Sequence, residues 1–297
     1  MEYAQAVAVY CCACAFQRDI EELDRLRAIM GEDTIRENVN IHIAYLWSYI
    51  YIGQWDVLFA DSESYIRAHE HQVDHYLPYF YFFRSWAFST RGEIDAAILD
   101  SEIARSLFVV FGNDHYAALA CNYLGALFRQ ISQYQISLNW YERALSYYDR
   151  LGLKRKQSMV RMNLGVTYYK MARYADADKA LTESLNIGIK GKWLHRQCFA
   201  NIALGNVRRL QRDFDSARRH LHAAYNQAQE LTYPREEALA LEFLGDVYRD
   251  EGQPAEARRF YARAKAIAEK LAPEGDIVME VHRRVGDGFG PRVEAAG

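Results

Sequence analysis

The sequence predicts an all-α protein, an α-solenoid in which helix–turn–helix repeats stack into a right-handed superhelix. A Leu-Gly pair recurs every 40 residues, and small residues recur 12 and 19 residues after each of these glycines. Only 5 prolines and 17 glycines interrupt the 297 residues, without a linker-like stretch. Because one helical pair cannot cover its own apolar face, such units must stack. The Leu-Gly pairs are Leu124-Gly125, Leu164-Gly165, Leu204-Gly205 and Leu244-Gly245.

Weaker copies of this unit extend the pattern toward the N-terminus. The segment Val7 to Met30 is the weakest copy, Leu46 and Gly53 mark the second, and Ser85 takes the glycine place of the third. After the four regular units, Val285-Gly286 opens a further copy that is not completed. We therefore expect a single domain over residues 1–297, with about seven helical pairs and a lone C-terminal helix.

The unit over residues 235–270 shows how each pair is predicted. Apolar residues at helical spacing from Leu239 to Tyr248 predict its first helix, and the run Asp250 to Pro254 interrupts the pattern. Pro254 fits the first turn of the second helix, where its missing N–H has no partner to lose. The repeat glycine is expected where two helices cross closely, because a side chain there would hold them apart.

Charge is unevenly distributed along the chain. The formal net charge is −3, yet residues 1–120 hold eight arginines, no lysine and 18 acidic residues, whereas residues 121–297 hold 28 basic and 21 acidic residues. The overall balance removes the simplest electrostatic argument for a nucleic-acid binder. We expect no direct nucleic-acid binding by this chain. The uneven charge either orients an acidic partner or belongs to solvated helix faces.

The cysteines and the N-terminal apolar stretch indicate a cytoplasmic protein. Cys11, Cys12 and Cys14 crowd together, and the total of five without a pairing pattern indicates reduced thiols. The apolar stretch Ala6 to Phe16 is too short to span a membrane and follows Glu2 rather than a basic segment. We interpret it as a buried helix and expect no membrane association, no metal and no cofactor.

With its Leu-Gly pairs, an aromatic or arginine one turn later and small residues in the second helix, the chain resembles the tetratricopeptide repeat (TPR) family over roughly residues 5–290. The usual unit has 34 residues, and these units have about 40. Such long repeats are like those of Leu-Gly-Asn scaffold proteins, kinesin light chains and the sensor regions of bacterial transcription activators. The run from Ala240 to Ala264 is most similar to the bacterial group.

This resemblance implies a peptide- or protein-binding groove lined by the first helix of each unit. Aromatic residues would hold apolar side chains, and asparagine amides would pair with the backbone of an extended peptide. Arginines would attract its acidic side chains. The candidate groove residues are Trp47, Phe82, Trp86, Asn122, Arg129, Asn163, Tyr169, Asn206, Arg209 and Arg249.

Each of these assignments has a plainer alternative. The aromatic run His75 to Trp86 also suits a core between repeats, and the asparagines also suit hydrogen bonds to a neighbouring helix. The basic segments Lys154 to Lys156 and Lys190 to Arg196 suit either an anion-binding ridge or solvated loops.

We do not expect an enzyme. The sequence has no phosphate loop, dinucleotide-binding glycines or nucleophile elbow. His195, Cys198 and Asn201 share one helix face, but neighbours on one helix do not supply a fixed base together with an oxyanion donor. The expected function is protein or peptide binding, as the sensing or interaction region of a larger bacterial transcriptional regulator with further domains. The alternative is a stand-alone cytoplasmic peptide receptor or scaffold.

Overall fold

The computed structural model describes residues 20–271 together with Val7 and Tyr10, and this part of the chain contains helices and no strand. The prediction of an all-α solenoid of stacked helical pairs is confirmed. The helices are α1 Ile20–Met30, α2 Glu32–Glu37, α3 Val39–Ile52, α4 Trp55–His69, α5 Leu77–Thr90, α6 Ile94–Val110, α7 Asp114–Gln130, α8 Tyr134–Arg150, α9 Lys154–Lys170, α10 Tyr174–Lys190, α11 Leu194–Leu210, α12 Phe214–Glu230, α13 Pro234–Asp250 and α14 Pro254–Leu271.

The chain divides into two compact units, residues 1–147 and residues 148–297, which we call the N-terminal unit and the C-terminal unit. Most of the helix expected over Ala6 to Phe16 and the lone helix expected near Val285 lie outside the described residues. The short helix α2 was not expected from the sequence. That residues 1–297 form a single domain stays a prediction.

The 40-residue period follows from a regular alternation of helix and turn. Each helix from α6 to α13 has 17 residues and is followed by a three-residue turn. The middle residue of each turn has a positive φ, and the N–H of the third residue bonds back to a carbonyl five residues earlier. This Schellman-type ending stops each helix at the same length. The middle residues are Gly112, Ser132, Gly152, Ala172, Lys192, Arg212, Thr232 and Gly252.

The repeat glycines lie at close helix crossings, as predicted. In the N-terminal unit a Cβ on Gly125 would lie 2.7 Å from the Tyr141 ring. In the C-terminal unit a Cβ on Gly165 would lie 2.5 Å from Leu181. Gly205 and Gly245 meet Leu221 and Tyr261 at 2.4 Å in the same way. Each pair is therefore locked by a large residue of its second helix that occupies the space above the glycine of its first.

The core of the N-terminal unit is rich in aromatic residues. Leu46, Leu58, Phe80 and Phe83 are fully buried in one cluster that joins α3, α4 and α5. Arg84 of α5 connects the same layer to its neighbours through ion pairs with Glu63 and Asp100. Packing and a buried charge cluster thus both hold these helices.

The core of the C-terminal unit consists mainly of alanine and leucine. In α11 to α14 the fully buried positions include Ala217, Leu221, Leu244 and Ala264. Small residues at these places allow helices to approach closely.

No helix in the described residues is both long enough and apolar enough to cross a bilayer.

Candidate functional site

All ten candidate groove residues lie on the first helix of a repeat. We call α3, α5, α7, α9, α11 and α13 the A helices and their partners α4, α6, α8, α10, α12 and α14 the B helices. The side chains nonetheless differ in how much surface they expose and in which partners they already have. The two units are therefore described separately.

The N-terminal unit carries an aromatic surface across three successive A helices. Trp47 comes from α3, Trp86 from α5 and Tyr123 from α7, and each is half-buried. The indole of Trp86 stacks flat on the Tyr123 ring, with centroids 4.5 Å apart and an angle of 4° between the planes. We call Trp47, Trp86 and Tyr123 the aromatic platform. Such a surface suits apolar side chains of a ligand.

Phe82 lies beneath this platform rather than in it. Its side chain is fully buried. Its ring centroid lies 6.3 Å from those of Trp47 and Trp86 and 5.9 Å from that of Tyr123. The expectation that Phe82 lines a groove is therefore wrong, because aromatic residues on three helices cover it. Phe82 instead supports the platform residues from below.

Tyr123 was missed by the sequence analysis. It lies two positions before its repeat glycine, Gly125, and was not among the candidate groove residues. Asn163, which was selected as a candidate, occupies the equivalent place in the next repeat. Comparing equivalent positions between repeats would have identified Tyr123.

Asn122 and Arg129 lie on α7, and both are half-buried. The Arg129 guanidinium lies over the Tyr141 ring of the paired B helix, 6.0 Å from the ring centroid. Its buried Nη1 has no hydrogen-bond acceptor among the described residues. The charge of Arg129 is thus directed into its own repeat.

In the C-terminal unit, Asn163 and Tyr169 lie on α9 and are half-buried. The Tyr169 ring is tilted against that of Tyr174, with centroids 6.3 Å apart. Both candidates therefore keep part of their surface open to a ligand.

Asn206 and Arg209 are buried together on α11. Arg209 Nε and Nη2 donate to Asn206 Oδ1 at 3.1 and 3.0 Å, and Arg209 Nη1 pairs with Asp250. Asn206 and Arg209 are only 8% and 9% exposed. The Asn206 side-chain oxygen therefore already accepts hydrogen bonds from Arg209. The amide N–H groups of Asn206 are the donors that it can present to a ligand.

Arg249 of α13 belongs to the same polar network. It pairs with Asp246 at 3.0 Å and with Asp250 at 2.8 Å. Asp246 also accepts a hydrogen bond of 2.8 Å from the Tyr261 hydroxyl. Arg209 and Arg249 are thus already paired with carboxylates of their own unit, and that they attract acidic side chains of a ligand stays a prediction.

His195, Cys198 and Asn201 bind three different neighbours rather than one another. His195 bonds to Arg155, Cys198 contacts the carbonyl of Ala224, and Asn201 bonds to Gln227. Burial raises the pKa of Cys198 to about 12, so its thiol carries a proton at neutral pH. Within the described residues, no group of three or more His, Cys, Asp or Glu is placed to hold a metal ion.

Comparison with known protein families identifies the repeat type. The tetratricopeptide repeat model matches residues 115–190 and 197–270, about half of the chain. The chain belongs to the tetratricopeptide repeat family. Each matched segment of this TPR protein covers two consecutive helical pairs, α7 to α10 and α11 to α14. The resemblance inferred from the Leu-Gly pairs is thus confirmed.

Several solved TPR-like structures share this fold. The apo form of RapI has a TM-score of 0.73 and 15% identity, and the alignment covers 97% of this chain and 82% of RapI. A Rap protein complexed with competence and sporulation factor has a TM-score of 0.66 and 14% identity, over 97% and 88% of the two chains. Aspartyl phosphate phosphatase F of Bacillus subtilis has a TM-score of 0.67 and 13% identity, over 96% and 82%. At these identities the similarity establishes the fold. No curated protein sequence matches this TPR protein.

Proposed function

We propose that this TPR protein binds a protein or peptide segment on the exposed surfaces of its A helices. The observation that carries the proposal is the aromatic platform, in which Trp47, Trp86 and Tyr123 come from three successive A helices. Half-buried aromatic residues offer large, rigid apolar surfaces that lose little entropy on binding. Repeat proteins use the extended surfaces formed by stacked units for binding.

The C-terminal unit supports the same proposal with polar side chains. Asn163 and Tyr169 are partly exposed on α9, and Asn206 retains amide donors. An amide side chain pairs with a peptide backbone whatever the peptide's sequence. We therefore expect the N-terminal unit to select apolar side chains and Asn163 to contribute backbone hydrogen bonds.

We further propose that the binding is non-catalytic and needs no cofactor and no direct nucleic-acid contact. In this proposal the chain is the sensing or interaction region of a cytoplasmic bacterial transcriptional regulator with further domains. A stand-alone peptide receptor or scaffold is the second candidate. The fold similarity to a Rap protein complexed with competence and sporulation factor supports the second candidate. Chromatin immunoprecipitation from the source cells separates the two, since only the regulator should be recovered with defined promoters.

Peptide binding can be tested with a random peptide library displayed on phage. Selected peptides should carry apolar or aromatic side chains, and Trp86→Ala should weaken their binding by about tenfold or more, as expected for a buried aromatic anchor. Titration calorimetry of the purified chain with the selected peptides measures this.

Trp140 provides a matched control for this experiment. It is also a half-buried tryptophan of the N-terminal unit, but it lies on the B helix α8 beside Arg105 and Arg143. Trp140→Ala should leave peptide affinity unchanged. Equal losses in both variants, or a library that yields no binding peptide, would contradict the proposed function.

A further inference from the structure

Four basic residues lie at the beginning of two neighbouring A helices of the C-terminal unit. Arg155 and Lys156 lie in the first turn of α9, and His195 and Arg196 lie in the first turn of α11. Each residue is 40 positions from its counterpart. Arg155 Nη2 donates a hydrogen bond of 3.1 Å to His195 Nε2, which joins the two segments. We call these four residues the basic cluster.

The basic cluster has no acidic partner in the part of the chain that the structure describes. Among the described residues, the hydrogen bond between Arg155 and His195 is the only side-chain hydrogen bond or ion pair that these four residues make. The Nε atom of Arg196 is buried and has no acceptor among the described residues. By contrast, Arg208 of the same unit pairs with Asp178 and Asp213, and Arg218 pairs with Asp215 and Glu251.

The electrostatics of the basic cluster are unfavourable in the absence of a ligand. Burial lowers the pKa of Lys156, and the charges of Arg196 and Arg155 lower it further. Burial and then the same two arginines lower the pKa of His195 to about 4, so its imidazole is neutral at pH 7. The positive end of a helix dipole lies at the first turn, which also disfavours cations there.

We propose that the basic cluster binds a dianionic phosphate group. Arg155, Lys156 and Arg196 would supply three positive charges, which more than balance a dianion, and guanidinium groups match the geometry of phosphate oxygens. The first turns of α9 and α11 also favour negative charge. The site is separate from the aromatic platform and goes beyond the proposed peptide binding.

Calorimetric titration of the whole chain with inorganic phosphate, at constant ionic strength set with sodium chloride, tests the site. We expect saturable binding of one phosphate per chain. Arg196→Gln and Lys156→Gln should each weaken it by about tenfold or more, since a hydrogen bond between charged groups contributes about 1.5–3 kcal/mol. The control Lys170→Gln removes the same charge from the exposed end of α9 and should change the affinity less than about twofold.

Thermal melting and histidine NMR give independent readouts. Without phosphate, Arg196→Gln and Lys156→Gln should melt no lower than the wild type, because each removes like-charge repulsion. This result separates a lost site from a misfolded chain. Phosphate should raise the pKa of His195. Among the described residues, the charged groups that lower this pKa are Arg155 and Arg196, and a bound dianion would offset their positive charges.

The proposal is overturned if phosphate does not bind saturably, or if Lys170→Gln weakens binding as much as Arg196→Gln does. A second titration with phenyl phosphate identifies the source of the group. Binding of both ligands supports a site for phosphate esters, and binding of inorganic phosphate alone supports a site for the free ion. Failure of phosphate to bind while selected peptides still bind would refute the anion site and leave the proposed peptide binding intact.

Discussion

Replacement of Gly205 by alanine is expected to lower the free energy of unfolding by about 1–3 kcal/mol. The added Cβ would lie 2.4 Å from Cγ and 2.7 Å from Cδ2 of Leu221, which is fully buried. This overlap should outweigh the gain of about 1 kcal/mol that alanine brings to a helix interior. Urea denaturation followed by circular dichroism measures the change.

Two further variants show whether the close crossing is the cause. Leu221→Ala alone should cost about 2–5 kcal/mol by leaving a cavity, and Gly205→Ala should cost less in that background than in the wild type, because the cavity accepts the new methyl group. Gly188→Ala is the control, since its Cβ would meet nothing nearer than 3.4 Å. Equal costs of Gly205→Ala in both backgrounds would refute the account.

Replacement of Arg84 by alanine is expected to cost about 3–5 kcal/mol at pH 7. Arg84 Nε and Nη2 bind the two oxygens of Asp100 at 2.7 and 2.9 Å, and Nη1 pairs with Glu63. The Asp100 side chain is only 4% exposed, so removal of Arg84 leaves a buried carboxylate without its cation. Urea denaturation at pH 7 measures this change.

The loss should depend on pH. Burial raises the pKa of Asp100 in the folded wild type even though Arg84 opposes this shift, so without Arg84 the pKa should rise further. The folded variant then binds a proton that the unfolded chain, with an Asp pKa near 3.9, releases. Stability of the variant should therefore fall as pH rises from about 4 to 7.

Arg67 provides the matched control for Arg84. It also binds Glu63, but its side chain is 75% exposed, so Arg67→Ala should cost less than about 1 kcal/mol. An Arg84→Ala variant as stable as Arg67→Ala would show that the buried charge cluster contributes little to the N-terminal unit.

Local sequence signals were sufficient to predict much of the fold. The interruption from Asp250 to Pro254 is where α13 ends and α14 begins, because a proline without an N–H fits only the first turn. Gly205 and Gly245 were recognised because the Leu-Gly pair recurs every 40 residues, in register with the small residues of the second helix. The turns at Lys192 and Thr232 were harder to predict. Both residues adopt a positive φ, which the sequence indicates only where glycine occupies the position.

The candidate site was harder to predict than the fold. Helical spacing places Phe82 and Arg249 on A helices, but it does not show which neighbours cover or pair with them. Phe82 is buried by residues of adjacent repeats, and Arg249 is neutralised by Asp246 and Asp250. Burial and pairing of this kind depend on contacts between helices, which a pattern within one repeat does not contain.

Photo-crosslinking tests the proposed binding surface most directly. A peptide selected from the random library would carry a benzophenone side chain, and mass spectrometry of the crosslinked chain would locate the attachment. The account predicts crosslinks on the A helices α3, α5 and α7, near Trp47, Trp86 and Tyr123. Crosslinks confined to the B helices α4 and α6, with none on an A helix, would contradict it.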